Sequence, residues 1–272
     1  MDKMKKFKGK AIYEPSGKAA EYSQWACNFY TGCSNDCDYC YCKRGVMAHV
    51  YDTTPRLKKC FKDEEHALEI FYRELMANLG QLREKGLLFS FTTDPMLRET
   101  CLLTLNAVRI ANDNAVPVKI LTKRGAKDPS FKLVVENRFN TPSLVAFGFT
   151  LTGADELEPG AASNDMRIFA MQRLHERGYK TFASIEPVIN PSNVRDLIFS
   201  TCNFCDLYKV GLISGKGKDF YDHQELNVMW QWLQDAASKG YKIYPKDSLL
   251  AYMGVNRADL NHFVTADYNL FK

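Results

Sequence analysis

The stretch Tyr30-Thr31-Gly32-Cys33-Ser34-Asn35-Asp36-Cys37-Asp38-Tyr39-Cys40-Tyr41-Cys42 sets three cysteines at a Cys-x3-Cys-x2-Cys spacing, with an aromatic directly before the third. It follows an apolar run, residues 26–30, that reads as a strand, so the spacing predicts a loop at a strand's carboxyl end. Thiolates suit iron–sulfur clusters and zinc, and a cubane normally takes four of them. Three ligands, Cys33, Cys37 and Cys40, leave one metal corner open to a small molecule, which separates a catalytic site from a closed structural one. The alternative is a structural, non-catalytic zinc or iron–sulfur module, with Cys42, Cys202 or Cys205 as fourth ligand.

Outward from this loop the chain alternates short β-rich runs with helical patterns. Strands are predicted over residues 26–30, 87–92, 118–122, 144–150, 181–185 and 207–211, with a shorter one at 241–244. Several are near-continuous apolar runs, as parallel strands buried on both faces are. The clearest helix starts with Asp63 as N-cap, carries Leu68, Phe71, Leu75, Leu79 and Leu82 at three- and four-residue spacing, and stops at Gly86. A second starts near Ser163, is expected to bury Met166, Phe169, Ala170 and Leu174, and ends at Gly178. Further helices fit residues 98–111, 128–136, 193–200 and 224–239. Six βα units in succession predict an α/β fold, a partial (βα)6 parallel barrel with a C-terminal extension. Ligands of such sheets sit at the carboxyl ends of the strands. The expected organisation is a lead-in over residues 1–25, a core over 26–215, and a helical extension of the same domain over 216–272.

The bulk numbers exclude some classes. Of 272 residues, 46% are hydrophobic and 25% charged, which supports a sizeable core. A net charge of +4 does not announce a nucleic-acid binder. The five lysines of residues 1–10 read as a solvated terminus or, alternatively, a polyanion-binding arm. No apolar run approaches the ~20 residues of a membrane helix, and no apolar segment follows the N-terminal lysines as in a secretory signal. No membrane association and a cytoplasmic location are expected. Nine cysteines, four of them within ten residues, fit a reducing compartment and a metal or redox site.

Cys33, Cys37 and Cys40, with Tyr39 before the last, resemble the signature of the radical S-adenosylmethionine superfamily. Further segments resemble its spore photoproduct lyase-like branch: residues 13–17 and 21–23, Asn28 to Cys33, Phe89 to Pro95, Leu121-Thr122-Lys123, Phe147 to Thr152 and Ser184 to Ile189. The resemblance covers about residues 11 to 215.

It implies a [4Fe–4S] cluster on the three cysteines and S-adenosylmethionine chelated to the open iron. The cofactor is cleaved reductively to a 5′-deoxyadenosyl radical that abstracts hydrogen from a substrate. A low-potential electron donor of flavodoxin or ferredoxin type, oxygen sensitivity, and lyase or oxidoreductase chemistry are implied with it. By position, Thr92, Thr93 and Asp94 would meet the cofactor's amino group, with capping of the next helix or a turn at Pro95 as the other reading of Asp94. Lys123 would face the methionine carboxylate, and Thr150 and Thr152 the carboxylate or ribose. Glu186 would reach ribose or substrate, with Lys209 as its ion-pair partner. Photoproduct lyases carry a hydrogen-donating cysteine near the end of the second strand. Here Thr92-Thr93-Asp94 stand there, and Cys101 falls seven residues later inside a predicted helix. The substrate therefore stays open: a nucleic acid, for which Tyr51, Arg56, Lys58 and Lys59 offer stacking and phosphate-facing groups, or a peptide, a protein side chain or a small metabolite. Cys42 is expected to pack beside the loop, and Cys202 and Cys205 to pack as buried thiols or to hold an auxiliary cluster. Residues 252–272 would cover the barrel mouth or pack on its side. The sequence is silent on oligomeric state and on which residues perform the catalytic step.

Overall fold

Period-two alternation along the strands builds a barrel wall with two different faces. The computed structural model describes residues 6–136, 138–213 and 220–272. Its principal sheet has eight strands in the order β1 (Ile12–Tyr13), β2 (Ala26–Cys27), β5 (Leu87–Phe89), β6 (Val118–Thr122), β7 (Val145–Thr150), β8 (Lys180–Val188), β9 (Tyr208–Leu212) and β10 (Ile243–Pro245). All neighbours are parallel except β1 on β2. The sheet stays open between β1 and β10. The predicted α/β partial barrel is therefore present, and its seventh parallel strand, β10, overlaps the short strand expected at 241–244.

Val118, Ile120, Val145, Phe147, Phe149, Ala183, Ile185, Tyr208, Val210 and Ile243 face outward into the main core against the helices. The intervening residues face in, where Ala146, Phe182, Leu207, Tyr244 and Leu270 form a smaller core with Leu121 beside it. Gly148 on β7 pairs with Phe182 on β8, and any side chain at 148 would occupy the space of the Phe182 ring. The helical layer comprises α1 (Glu64–Ala77), α2 (Leu79–Lys85), α3 (Cys101–Asp113), α4 (Pro129–Glu136), α5 (Asn164–His175), α6 (Val194–Thr201), α7 (His223–Ser238) and α8 (Asp247–Met253).

Local signals set most boundaries. Asp63 caps α1 by accepting from His66 N at 2.8 Å, and Ser163 caps α5 through Met166 N. Gly178, at φ 83°, turns the chain after α5 in the left-handed region that favours glycine. Several expectations need correction. The helix expected to run unbroken to Gly86 breaks at Asn78 into α1 and α2. The strand expected over 26–30 is two strands: β2 joins the main sheet, while β3 (Tyr30–Thr31) peels away to pair antiparallel with β4 (Arg56–Leu57). On α5 the expected Phe169 is 49% exposed, and the buried face is Arg167, Ala170, Met171 and Leu174. That set keeps the i, i+3, i+4, i+7 spacing, but its first member is a cation that the site below neutralises.

Residues 264–272 lie across the amino ends of the strands, where they line a cavity of about 230 Å³ with Gly86, Pro117 and Leu207. The C-terminal stretch thus closes the end opposite the cysteines. Phe263 stacks on Trp230 at 5.3 Å. Of the lysine-rich terminus, residues 1–5 lie outside the described residues, whereas Lys8 bridges to Tyr13 and Lys10 N donates to Glu74 at 2.6 Å. The expected boundary at 215 and 216 also lies outside the described residues.

Candidate functional site

A loop can hold three thiols only if its backbone is fastened. Gly32, at φ 81°, starts it: a Cβ there would strike the Thr54 carbonyl, so the position demands glycine. Gly32 N and Cys33 N donate to Val50 O at 3.0 Å and Asp52 O at 2.8 Å. Cys40 N donates to Cys37 O at 3.0 Å, closing the turn between the last two thiols. Asn35 is buried, donates to Asp94 at 2.8 Å and accepts from Arg124.

The loop sits at the carboxyl end of the sheet beside a cavity of about 720 Å³, the size of a small-molecule site. Cys33, Cys37, Cys40, Thr92, Thr93, Asp94, Lys123, Thr150 and Glu186 all line it. Thr152 does not: it is buried, and its hydroxyl donates to Glu158 at 3.1 Å. Thr92 donates to Tyr30 O at 2.6 Å, and the Asp94 carboxylate accepts from Asn35, Met96 N, Thr122 and Lys123 N. The bond to Met96 N, at 2.9 Å, is the turn at Pro95 that the sequence offered as the other reading of Asp94. Thr93 is the opposite case: its hydroxyl is buried and lacks a hydrogen-bond partner, which costs free energy until a ligand pairs with it.

Burial pushes the Cys33 thiol up to about 11 and raises that of Cys37. The Cys42 thiol donates to Cys40, which lowers the latter and raises Cys42 itself. The Lys123 ammonium acts on Cys33, Cys37 and Cys40 alike, lowering each. Lys123, which lines the same cavity, lies within electrostatic reach of all three sulfurs. Desolvated thiols stay neutral unless a cation or metal takes up the thiolate charge. Among the described residues, no three His, Cys, Asp or Glu side chains converge tightly enough for a single ion. Three thiols on one short loop beside an open cavity are a donor set that fits an iron–sulfur cluster with room for a further ligand.

The cavity floor is polar. Glu186, on the irregular stretch of β8 next to Pro187, accepts from Tyr22 and from Lys246, each at 2.6 Å. Lys246 is 1% exposed, lies at the start of α8, and also pairs with Glu21 at 3.5 Å. The expected partner Lys209 instead donates to the Glu21 carbonyl and lies between the Tyr22 and Tyr244 rings. Lys246 was missed because it lies beyond the region of resemblance; its position after a short apolar run was the available signal. Cys101 sits at the start of α3 and does not line the cavity. Cys202 and Cys205 face Phe199 O and Leu207 O, each at 3.3 Å, away from the cavity.

The same architecture occurs in solved structures. A double mutant of spore photoproduct lyase with bound AdoMet and dinucleoside spore photoproduct matches 80% of this chain and 63% of its own, with a TM-score of 0.54 and 17% identity. The fold is that of the radical S-adenosylmethionine enzymes. A second radical S-adenosylmethionine fold, Streptococcus suis SuiB bound to precursor peptide SuiA, matches 90% of this chain and 55% of its own, with a TM-score of 0.53 and 12% identity. SuiB bound to S-adenosylmethionine matches at 0.51 and 12%, over 82% and 51%. The chain thus spans half to three fifths of the length of these structures. No protein-family model matches it, and no curated protein matches in sequence. Among the described residues no helix is long and apolar enough to cross a membrane.

Proposed function

We propose that the chain is a radical S-adenosylmethionine enzyme in which Cys33, Cys37 and Cys40 hold a [4Fe–4S] cluster. The observation that carries this reading is that Cys33, Cys37 and Cys40, from one short loop, line one cavity of about 720 Å³ together with Thr93 and Lys123. When bound, the cluster and S-adenosylmethionine supply reductive cleavage of a sulfonium bond and a 5′-deoxyadenosyl radical for hydrogen abstraction. Lys123 offers the cofactor carboxylate a cation, and Thr93 offers a hydroxyl to a polar cofactor atom. Thr92 and Asp94 act mainly as struts, since their side chains are already engaged within the protein. Thr150 presents the wall beside Ser184, and the Glu186 carboxylate, held by Tyr22 and Lys246 on the floor, presents an acceptor to ribose or substrate. Thr152 supports this wall from behind through Glu158. An external electron donor of flavodoxin or ferredoxin class completes the system.

The charge distribution favours an anionic substrate, with a nucleic acid as the leading class. Of the charged side chains that line the cavity, Lys18, Lys58, Lys123 and Lys246 stand against Asp36, Asp94 and Glu186. One structural neighbour binds a dinucleoside, while another binds a peptide. Anaerobic reconstitution with iron and sulfide tests the enzyme reading. Broad absorbance near 400 nm that bleaches with dithionite, and 5′-deoxyadenosine formed from added cofactor, are expected. One tightly held zinc and no cleavage would instead identify a structural module. Salt-dependent retardation of nucleic acid in a gel tests the substrate class, and no binding at low salt would count against it.

A further inference from the structure

Tyr39 stands between Cys37 and Cys40 in the loop, and its hydroxyl, which lies beside the Cys37 thiol, donates to Glu158. Glu158 is 2% exposed, and its other oxygen takes Arg167 and Thr152. Arg167 is fully buried, and its remaining nitrogens donate to Ala162 O at 2.8 Å and Thr150 O at 2.6 Å. A buried ion pair of this kind is rarely more stable than apolar side chains of the same size. Its distinctive product is a fixed geometry.

That geometry is delivered to the cysteine loop. The segment between β7 and α5 meets the loop again where Leu157 O accepts from Asp38 N at 2.9 Å and Gly160 N donates to Asn35 O at 3.1 Å. Gly160 lies so close to the Ser34 carbonyl that a Cβ could not fit between them. Arg124 also closes on Gly160 O and Asn35. The Tyr39 ring, held by its hydroxyl, carries the Lys123 ammonium 5.5 Å from its centroid.

We propose that Glu158 and Arg167 are positioning residues which, through Tyr39, clasp the cysteine loop and aim Lys123. Cluster retention and cofactor affinity then depend on a hydrogen bond whose acceptor, Glu158, lies outside the cavity lining. The cofactor part rests on the reading of Cys33, Cys37 and Cys40 as the cluster ligands; the clasp itself does not.

Tyr39→Phe removes the hydroxyl alone and leaves the ring under Lys123. In the metal-free protein its thermal midpoint should fall by only about 2–4 °C, the scale of one buried hydrogen bond in a chain of this size. Hydrogen exchange of the peptide covering residues 36–41 should be about tenfold faster, the scale of one buried hydrogen bond. In the reconstituted protein, iron loss to a chelator should quicken by a similar factor, S-adenosylmethionine should bind about tenfold more weakly, and the cofactor-induced change in the reduced cluster's paramagnetic resonance spectrum should shrink. Glu158→Gln keeps an acceptor for Tyr39 and should stay closer to the parent in every readout; if it fails to fold, Tyr39→Phe decides alone. Parent-like exchange in Tyr39→Phe overturns the proposal. So does faster exchange with unchanged iron retention and cofactor affinity. If the parent chain takes up no cluster, the enzyme reading fails, and exchange in the metal-free protein still decides whether the clasp exists.

Discussion

Asn35, in the middle of the cysteine loop, donates to the Asp94 carboxylate at 2.8 Å. Asp94 also accepts from Thr122 at 2.7 Å and from the Lys123 amide at 2.7 Å. One carboxylate thereby joins the loop that carries the thiols, the connection after β5, and the end of β6 that carries the Lys123 cation.

Removing that acceptor leaves four donors without a partner. Asp94→Ala should lose about 3 kcal/mol or more of stability, since each buried donor left unpaired costs about 1–3 kcal/mol. Urea unfolding at unchanged m-value measures it. A loss below about 1 kcal/mol would show that water replaces the strut.

The three thiols of the Cys33–Cys40 loop should behave differently from the other cysteines. Cys33→Ala, Cys37→Ala and Cys40→Ala should each take the reconstituted protein from about four irons per chain to near none. Cys42→Ala and Cys202→Ala should keep their iron. Iron and sulfide assays decide this, and full iron in any of the first three variants removes that residue from the ligand set.

Gly160→Ala forces a methyl group against the Ser34 carbonyl. The loop must shift, so iron uptake should fall while far-ultraviolet circular dichroism remains that of the parent. Overpacking of this kind costs about 1–3 kcal/mol. Unchanged uptake would mean that the loop yields without moving its thiols.

Lys246 joins Glu186 and Glu21 at the cavity floor. Lys246→Met leaves both carboxylates without their shared cation and should destabilise the fold by about 3 kcal/mol. The loss should shrink in the double variant Lys246→Met with Glu186→Gln, read by the same urea transition.

Lys119, on the inner face of β6, donates to Tyr22 O at 3.1 Å, and burial pushes its ammonium down from 10.5 to about 8. Between those values the unfolded chain holds a proton that the native chain has released, so stability gains with rising pH across that window. Below about pH 8 both states are protonated and the native state bears the full desolvation cost. Lys119→Met should therefore be the more stable chain at pH 7, with the gap closing toward pH 10. Comparing the two chains cancels the tyrosine and cysteine titrations they share. A gap independent of pH would show that Lys119 is not desolvated.

Much of this was legible from local pattern. The thiol spacing, the caps at Asp63 and Ser163, and the seven parallel strands were all readable, because each depends on neighbours a few residues apart. The buried face of α5 was not. Apolar periodicity favours Phe169, but Arg167 goes in, because Glu158 and two carbonyls satisfy its charge and donors, and no rule of hydropathy contains that partner. The floor was misread for a similar reason. Lys209 and Lys246 both belong to inward-facing positions, and only the arrangement of β8, β9 and β10 decides that Lys246 reaches Glu186.

The sequence by itself determined the α/β class and the loop of three thiols, since alternation and short-range spacing are properties of a chain before it folds. Tertiary structure alone decided which side chains face the cavity with capacity to spare. Thr93 keeps an unpaired hydroxyl, whereas Asp94, its neighbour, has both oxygens taken. The physical reason is that a polar group's availability depends on where every donor and acceptor around it ends up, and those partners come from strands and loops 28 to 59 residues away.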